Sequence, residues 1–339
     1  MTDGAQTMQK PRSILVVDTR CEPDATVLVK AARIARSLGL GLDLFLCDAE
    51  LAYALKHSYD SNPFDRKVLQ RCIARATDHL LRYREAIGLG DIPLQIDASC
   101  ESPLYEGILH KVRASDPEMV LKAAGGGRPG HSAFDANDWQ LMRTCPATLA
   151  LVRGRRWRPN LRIAAAIDVS DEETQGMAGT ILKVAKTLAQ VTDSELDVVY
   201  SERSAPQEPE SRTRAEKLQV LAREAGIDDG HIHVLAGPPE RELSRFSVGR
   251  DFDVMVLGAL THRPSALSLV GTLTSVLVED LECDFVLVKP DSYRDGSSLE
   301  GGQGRDRVPT PAAGPQAPPA RASSASQRAY RLASSTSMA

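Results

Sequence analysis

Arg12-Ser-Ile-Leu-Val-Val-Asp18 and Leu161-Arg-Ile-Ala-Ala-Ala-Ile-Asp168 have the same design: a short apolar run that stops at an aspartate and gives way to a helical pattern. Further along, Met119-Val-Leu-Lys122 matches Met255-Val-Leu-Gly258, and Cys145 before Leu149-Ala-Leu-Val152 matches Cys283 before Phe285-Val-Leu-Val288. The elements return in the same order, which marks a duplicated domain and not a coincidence of composition.

Continuous apolar runs suit strands buried on both faces. In the first copy they fall at Ile14 to Val17, Leu42 to Leu46, Leu94 to Ala98, Met119 to Ala123 and Leu149 to Val152. Between them, apolar residues at helical spacing predict helices over Val27 to Leu38, Asp65 to Ile87 and Leu104 to Val112, with another starting at Trp139. The second copy repeats the scheme, with strands at Ile163 to Ile167, Leu196 to Val199, Ile232 to Leu235, Val254 to Leu257 and Phe285 to Val288. Its helices are expected near Met177 to Gln190, Ser211 to Ala225, Pro239 to Val248 and Thr272 to Leu281. Alternating strands and helices imply an α/β fold with parallel sheets and right-handed crossovers. The basic segment Arg153 to Pro159 reads as a solvated hinge, with Trp157 tucked between the domains.

At 339 residues, each copy is long enough to bury its own core. A net charge of −4 gives no electrostatic case for direct nucleic-acid binding. No run approaches the ~20 apolar residues of a membrane span, and the polar stretch Met1 to Pro11 lacks the core of a signal peptide. The six cysteines form no Cys-x-x-Cys pair and read as reduced thiols of a cytoplasmic protein. From residue 292 onward Gly, Ser, Ala and Pro dominate, so 292–339 is expected to be a disordered, mildly basic tail.

Open parallel sheets take ligands beyond the carboxyl ends of their strands. In the second copy Asp168 offers an acceptor for a ribose hydroxyl or an adenine amine, and Gly258 leaves the backbone open. Gly271-Thr-Leu-Thr274 then opens a helix, presenting free N–H groups and a favourable dipole to an anion. The plainer role for Thr272 or Thr274 is an N-cap. The first copy fails the same test. Lys122 stands where Gly258 stands, and Asp138 is placed to cap its helix with a carboxylate, using the donors a phosphate would need. His231 and His233 share a strand face without an apparent third ligand, so no metal is expected. No set of residues has the context of a catalytic triad, the glycine-rich loop Gly125-Gly-Gly-Arg-Pro-Gly130 does not lead directly into a helix and reads as a flexible connection, and no Walker loop is present.

The strand-end Asp18 and Asp168, the run Asp138-Trp-Gln-Leu-Met-Arg-Thr-Cys-Pro146, and Val256-Leu-Gly258 through Gly271-Thr272 to Cys283-Asp-Phe-Val-Leu-Val-Lys-Pro290 resemble the universal stress protein family in its tandem, E-type form. The resemblance implies two Rossmann-like (adenine nucleotide alpha hydrolase-like) domains at 12–153 and 160–291. Each would be a five-stranded parallel sheet of order 3-2-1-4-5 flanked by helices. It also implies a cytoplasmic stress-response role without an established reaction, and ATP or another adenine nucleotide as ligand. The family's nucleotide pattern is Gly, two residues, Gly, nine residues, then Gly with Ser or Thr. Gly258 and Gly271-Thr272 match its ends, whereas Thr261 replaces the middle glycine and resists positive φ. The expected assignment is a non-catalytic protein with a weak nucleotide site in the second domain, built from Asp168, Gly258, Gly271, Thr272 and Thr274. A carrier of an apolar small molecule in the inter-domain cleft and a slow ATP hydrolase stay open beside it. Either a monomer with its domains paired internally or a homodimer would satisfy the interface.

Overall fold

The computed structural model describes residues 12–19, 24–47, 63–85, 88–99, 101–125, 134–170, 176–202, 208–259 and 272–290. The tail expected at 292–339 lies outside the described residues. The first half contains β1 (Ser13–Asp18), α1 (Ala25–Leu38), β2 (Gly41–Cys47), α2 (Pro63–Tyr83), β3 (Leu94–Ser99), α3 (Leu104–Ser115), β4 (Met119–Ala123), α4 (Ala136–Thr144) and β5 (Thr148–Val152). The second half contains β6 (Arg162–Ala166), α5 (Met177–Thr192), β7 (Glu195–Glu202), α6 (Glu208–Glu224), β8 (Ile232–Ala236), α7 (Pro239–Arg250), β9 (Val254–Gly258), α8 (Thr272–Asp280) and β10 (Asp284–Val288).

Local chemistry sets the ends of these elements. The Asp24 side chain caps α1 by accepting the Thr26 amide at 2.8 Å. Gly39 stops the helix at φ 64°, in the left-handed region, and the Leu40 amide then closes onto the Ala35 carbonyl at 2.8 Å. Asp116, Asp193 and Asp251 take the same left-handed position after α3, α5 and α7, where sequence reasoning looks for glycine.

The ten strands form one sheet of order β3-β2-β1-β4-β5-β10-β9-β6-β7-β8. The order 3-2-1-4-5 describes one half at a time. The sheet as a whole differs from two separate sheets because β5 and β10 pair antiparallel, with Leu149 opposite Leu287 and Leu151 opposite Phe285. Each half taken alone would leave its fifth strand as an open edge with unpaired N–H and C=O groups; pairing the two edges satisfies both. All other pairings are parallel. The strands of the two halves therefore run in opposite directions, and their carboxyl ends open at opposite edges of the sheet. β10 is buried along its whole length, whereas the outermost β3 and β8 alternate with solvent.

Two apolar layers cover the sheet, and each spans both halves. On one face Ile34 of α1, Leu80 of α2, Leu182 of α5 and Leu218 of α6 belong to one cluster. On the other, Ile108 of α3, Leu141 of α4, Leu243 of α7 and Leu277 of α8 belong to a second. The described residues fall in a single compact unit.

A buried ionic latch closes the seam between the halves. Lys30 of α1 donates to Asp284 Oδ2 at 2.7 Å and to the Arg153 carbonyl at 3.0 Å. The Trp157 indole N–H and the Arg153 amide also donate to Asp284, each at 2.7 Å. Burial pushes the Asp284 carboxyl up and the Lys30 amine down, and their mutual attraction opposes both shifts. Trp157 is tucked in as expected, and the segment around it, exposed at residues 154–156, is held in place by ion pairs. Arg158 grips Asp253 at 3.0 Å, Arg155 forms a two-pronged pair with Asp251, and Arg33 holds the Arg158 carbonyl at 2.7 Å. The partners of Arg153, Arg155 and Arg158 lie far away in sequence, so the pairing is not legible locally.

Candidate functional site

In the second half β6 ends at Ala166, and Ile167 leads to Asp168, half-buried at the sheet edge. Asp168 Oδ1 accepts the Ser170 amide at 2.8 Å, so the carboxylate closes its own turn. The neighbouring β9 is in register with Ala165 opposite Val256 and ends at Gly258. Paired strands lie ~4.8 Å apart, so the two ends share one edge. The buried Thr274 hydroxyl donates to the Gly258 carbonyl at 2.8 Å, docking the first turn of α8 on the end of β9. Asp168, Gly258 and Thr274 thus come to one place. Thr272 opens α8 beside them. Gly271 and Thr261 lie outside the described residues.

The backbone at Gly258 is not bare. A Cβ there would sit 3.5 Å from Met177 Cγ and 3.7 Å from Ile181 Cδ1, so α5 already covers the face expected to be open to a ligand. Close approach to this glycine requires Met177 to swing away. Beyond Asp168, buried Tyr200 hydrogen-bonds Glu202, whose Oε1 accepts Arg214 Nη1 at 2.7 Å. Burial raises the Tyr200 phenol, and the charges of Glu202 and Asp168 raise it further, which places Asp168 within electrostatic reach of the pair. From α6, Lys217 donates to the Val169 carbonyl at 3.2 Å.

The first half closes the equivalent space. Asp18 is buried and accepts the Asp24 amide at 3.2 Å. The cavity between Asp18, Asp24, Leu28 and Ala123 has a volume of about 10 Å³, no more than a single water requires. Lys122, 1% exposed, sends Nζ to Asp138 Oδ1 at 2.6 Å. Asp138 Oδ2 accepts the amides of Gly125 at 2.7 Å and Asp135 at 3.1 Å. The N-cap of α4 is Asp135 and not Asp138: Asp138 is the third helical residue, and the two form a reciprocal capping box. A cation and two backbone N–H groups around one buried carboxylate are the surroundings of a bound phosphate, supplied from within. Burial pushes the Asp138 carboxyl up while Lys122 pulls it back.

The chain is 23% identical to universal stress protein E of Salmonella typhi over 309 residues, covering 85% of this chain and 98% of that one. It is 24% identical to the universal stress protein E homolog of Haemophilus influenzae over 315 residues, covering 84% and 100%. Among solved structures, a putative universal stress protein from Pseudomonas aeruginosa superposes with a TM-score of 0.68 at 22% identity, covering 86% of this chain and 98% of that one. No family model matches. The chain is similar to universal stress proteins in their tandem, E-type form. Its similarity runs to tandem, E-type members over their whole length.

The seam between the halves holds a further cavity, of about 330 Å³, between α1 and α5. Lys289 lines it, 7% exposed, with Nζ donating to the Cys145 carbonyl at 2.6 Å. Burial pushes the Lys289 amine down to about 7. Lys289, Met177 and the Tyr200–Glu202–Arg214 group are not among the site residues that the sequence pointed to. Glu202 carried a usable signal, an acidic residue at a strand end, whereas the contact of Met177 with Gly258 joins two distant elements. His231 and His233 both reach Asp197 Oδ1, at 3.2 and 2.7 Å, but His231 belongs to a 3-10 turn and not to the strand. Among the described residues no group of three or more His, Cys, Asp or Glu could hold a metal ion, and no helix is long and apolar enough to cross a membrane.

Proposed function

We propose that this is a non-catalytic, cytoplasmic stress-response protein of the universal stress type whose second repeat, 160–291, holds an adenine nucleotide weakly. Its first repeat, 12–153, serves as the packing partner. The observation that carries this reading is the Thr274–Gly258 hydrogen bond, which fixes the start of α8 on the edge occupied by Asp168. Asp168 would accept from the ribose or adenine, with Val169 and Met177 as apolar neighbours. With Glu202 and Asp168 both acidic on the β7 side, the phosphates would lie toward Gly271, Thr272 and Thr274, where helix N–H groups favour anions. Thr261 and the cover of Met177 over Gly258 both favour weak binding. In the first repeat, the carboxylate of Asp138 already occupies the donors an anion would use. The edge pairing of β5 with β10 within one chain favours a monomer, checked by light scattering after gel filtration.

Calorimetry with ATP and AMP tests the proposal. The natural chain should bind weakly, Thr261→Gly at least tenfold more tightly, and Gly271→Asp not at all. Absence of binding by both the natural chain and Thr261→Gly would overturn it. Phosphate release from ATP should not exceed that of Gly271→Asp; a clear excess would favour a hydrolase.

A further inference from the structure

The cavity between α1 and α5 has a twin position across the seam. In the β5–β10 pairing Ala150 lies opposite Val286, and a two-fold axis through that pair carries Thr148–Val152 onto Asp284–Val288. The same axis relates the helices over the seam. Counted back from their left-handed caps, Gly39 and Asp193, Lys30 of α1 matches Val184 of α5, Arg33 matches Thr187, and Ile34 matches Leu188. Glu118 matches Asp253 in turn: the Glu118 amide donates to the Ser13 carbonyl at 3.0 Å, as the Asp253 amide does to the Arg162 carbonyl at 2.9 Å.

On one side of the axis these positions build the latch at Asp284. Lys30 pairs with Asp284, and its amine lies 5.4 Å from the centre of the Trp157 ring. Arg33 holds the Arg158 carbonyl, and Arg158 grips Asp253. On the other side stand Val184, Thr187, Thr148 and Glu118, and all four line the cavity. Shorter side chains leave about 330 Å³ where the latch is packed, and Leu38 of its wall is 40% exposed.

The segment that covers the latch has a counterpart in the sequence. Trp157-Arg158 stands as far beyond Val152, the last residue of β5, as Tyr293-Arg294 stands beyond Val288, the last residue of β10. Val288 and Lys289 themselves line the cavity, so the chain leaves β10 at its wall. The path taken in the first copy does not depend on glycine, since Gly154 has open space where a Cβ would go and no positive φ. Residues beyond 290 lie outside the described residues.

We propose that the chain's own segment 291–295 docks in this cavity, with the Tyr293 ring between α1 and α5 and the Arg294 guanidinium at Glu118. Ile34, Leu38, Val184 and Leu188 offer the ring an apolar bed, and Thr148 and Thr187 offer hydroxyls to its phenol. Arg294 brings its charge to an acidic wall residue, as Arg158 does at Asp253. The tail expected from residue 292 then begins only beyond Asp295. The docking is independent of the nucleotide reading, since Asp168, Gly258 and Thr274 do not line the cavity.

Limited trypsin digestion of the full chain, read by mass spectrometry, tests the docking. Arg294 and Arg305 are each followed by aspartate, so their local sequences are matched. The natural chain should be cut at Arg305 at least tenfold faster than at Arg294. Tyr293→Ala and Val184→Trp, which fills the cavity, should each raise cleavage at Arg294 to the rate at Arg305, whereas Tyr293→Trp should keep the protection. Equal cleavage at both arginines in the natural chain, or continued protection of Arg294 in Tyr293→Ala, would overturn the proposal. Native mass spectrometry covers the other occupants: a dimer or a small-molecule adduct that Val184→Trp abolishes and Tyr293→Ala leaves in place would overturn it too. No nucleotide enters the digestion, so failure of the nucleotide site leaves this result untouched. Circular dichroism of each variant separates release of the segment from loss of fold.

Discussion

Asp138 and Lys122 are each almost wholly removed from water and meet at 2.6 Å. Removing one partner of such a pair strands the other charge, so Asp138→Ala should cost about 3–5 kcal/mol in urea unfolding. Replacing both, as in Lys122→Met with Asp138→Leu, should recover most of that loss. Lys289 gives a prediction of a different kind. Its folded-state value is depressed to about 7, below that of an unfolded lysine. Its contribution to stability is thus present above the unfolded value and lost as pH falls through the folded one. Unfolding free energy should decline as pH is lowered from about 10 toward about 7. Lys289→Met should flatten that slope; an unchanged slope would mean that the amine stays charged in the fold.

At the scale of the element, helix ends offer a controlled comparison. Gly39 has open space where a Cβ would go, so Gly39→Ala tests backbone conformation alone and should cost ~1 kcal/mol, with Gly39→Asn costing less. Asp116 and Asp193 bear the same left-handed strain without glycine. Asp116→Gly and Asp193→Gly should raise stability by up to ~1 kcal/mol. Asp251→Gly should not, because the variant gives up the two-pronged pair with Arg155. Thermal melts of the five variants would decide.

For the molecule as a whole, the latch at Asp284 and the shared apolar layers make the two halves one folding unit. Lys30→Met and Asp284→Asn should be strongly coupled, with an interaction energy above ~1 kcal/mol in a double-mutant cycle. Unfolding followed at Trp157 and by circular dichroism should coincide in the natural chain. Separate transitions would mean that the seam is a docking contact and not part of the core.

The amino-acid sequence by itself determined the duplication, the alternation of strands and helices, and the burial of runs such as Ile14 to Val17, because apolar periodicity is a local signal. It also brought Gly258 together with the start of α8, where the Thr274 hydroxyl meets the Gly258 carbonyl, since strand ends followed by helix starts converge in any parallel sheet. Only the tertiary structure decided that β5 meets β10 and that Met177 covers Gly258. It alone decided too that Asp138 answers Lys122 and that Arg153 to Pro159 is clamped. Each of these is a contact between elements distant in the chain, set by which edges and charges remain unsatisfied once the local elements have formed.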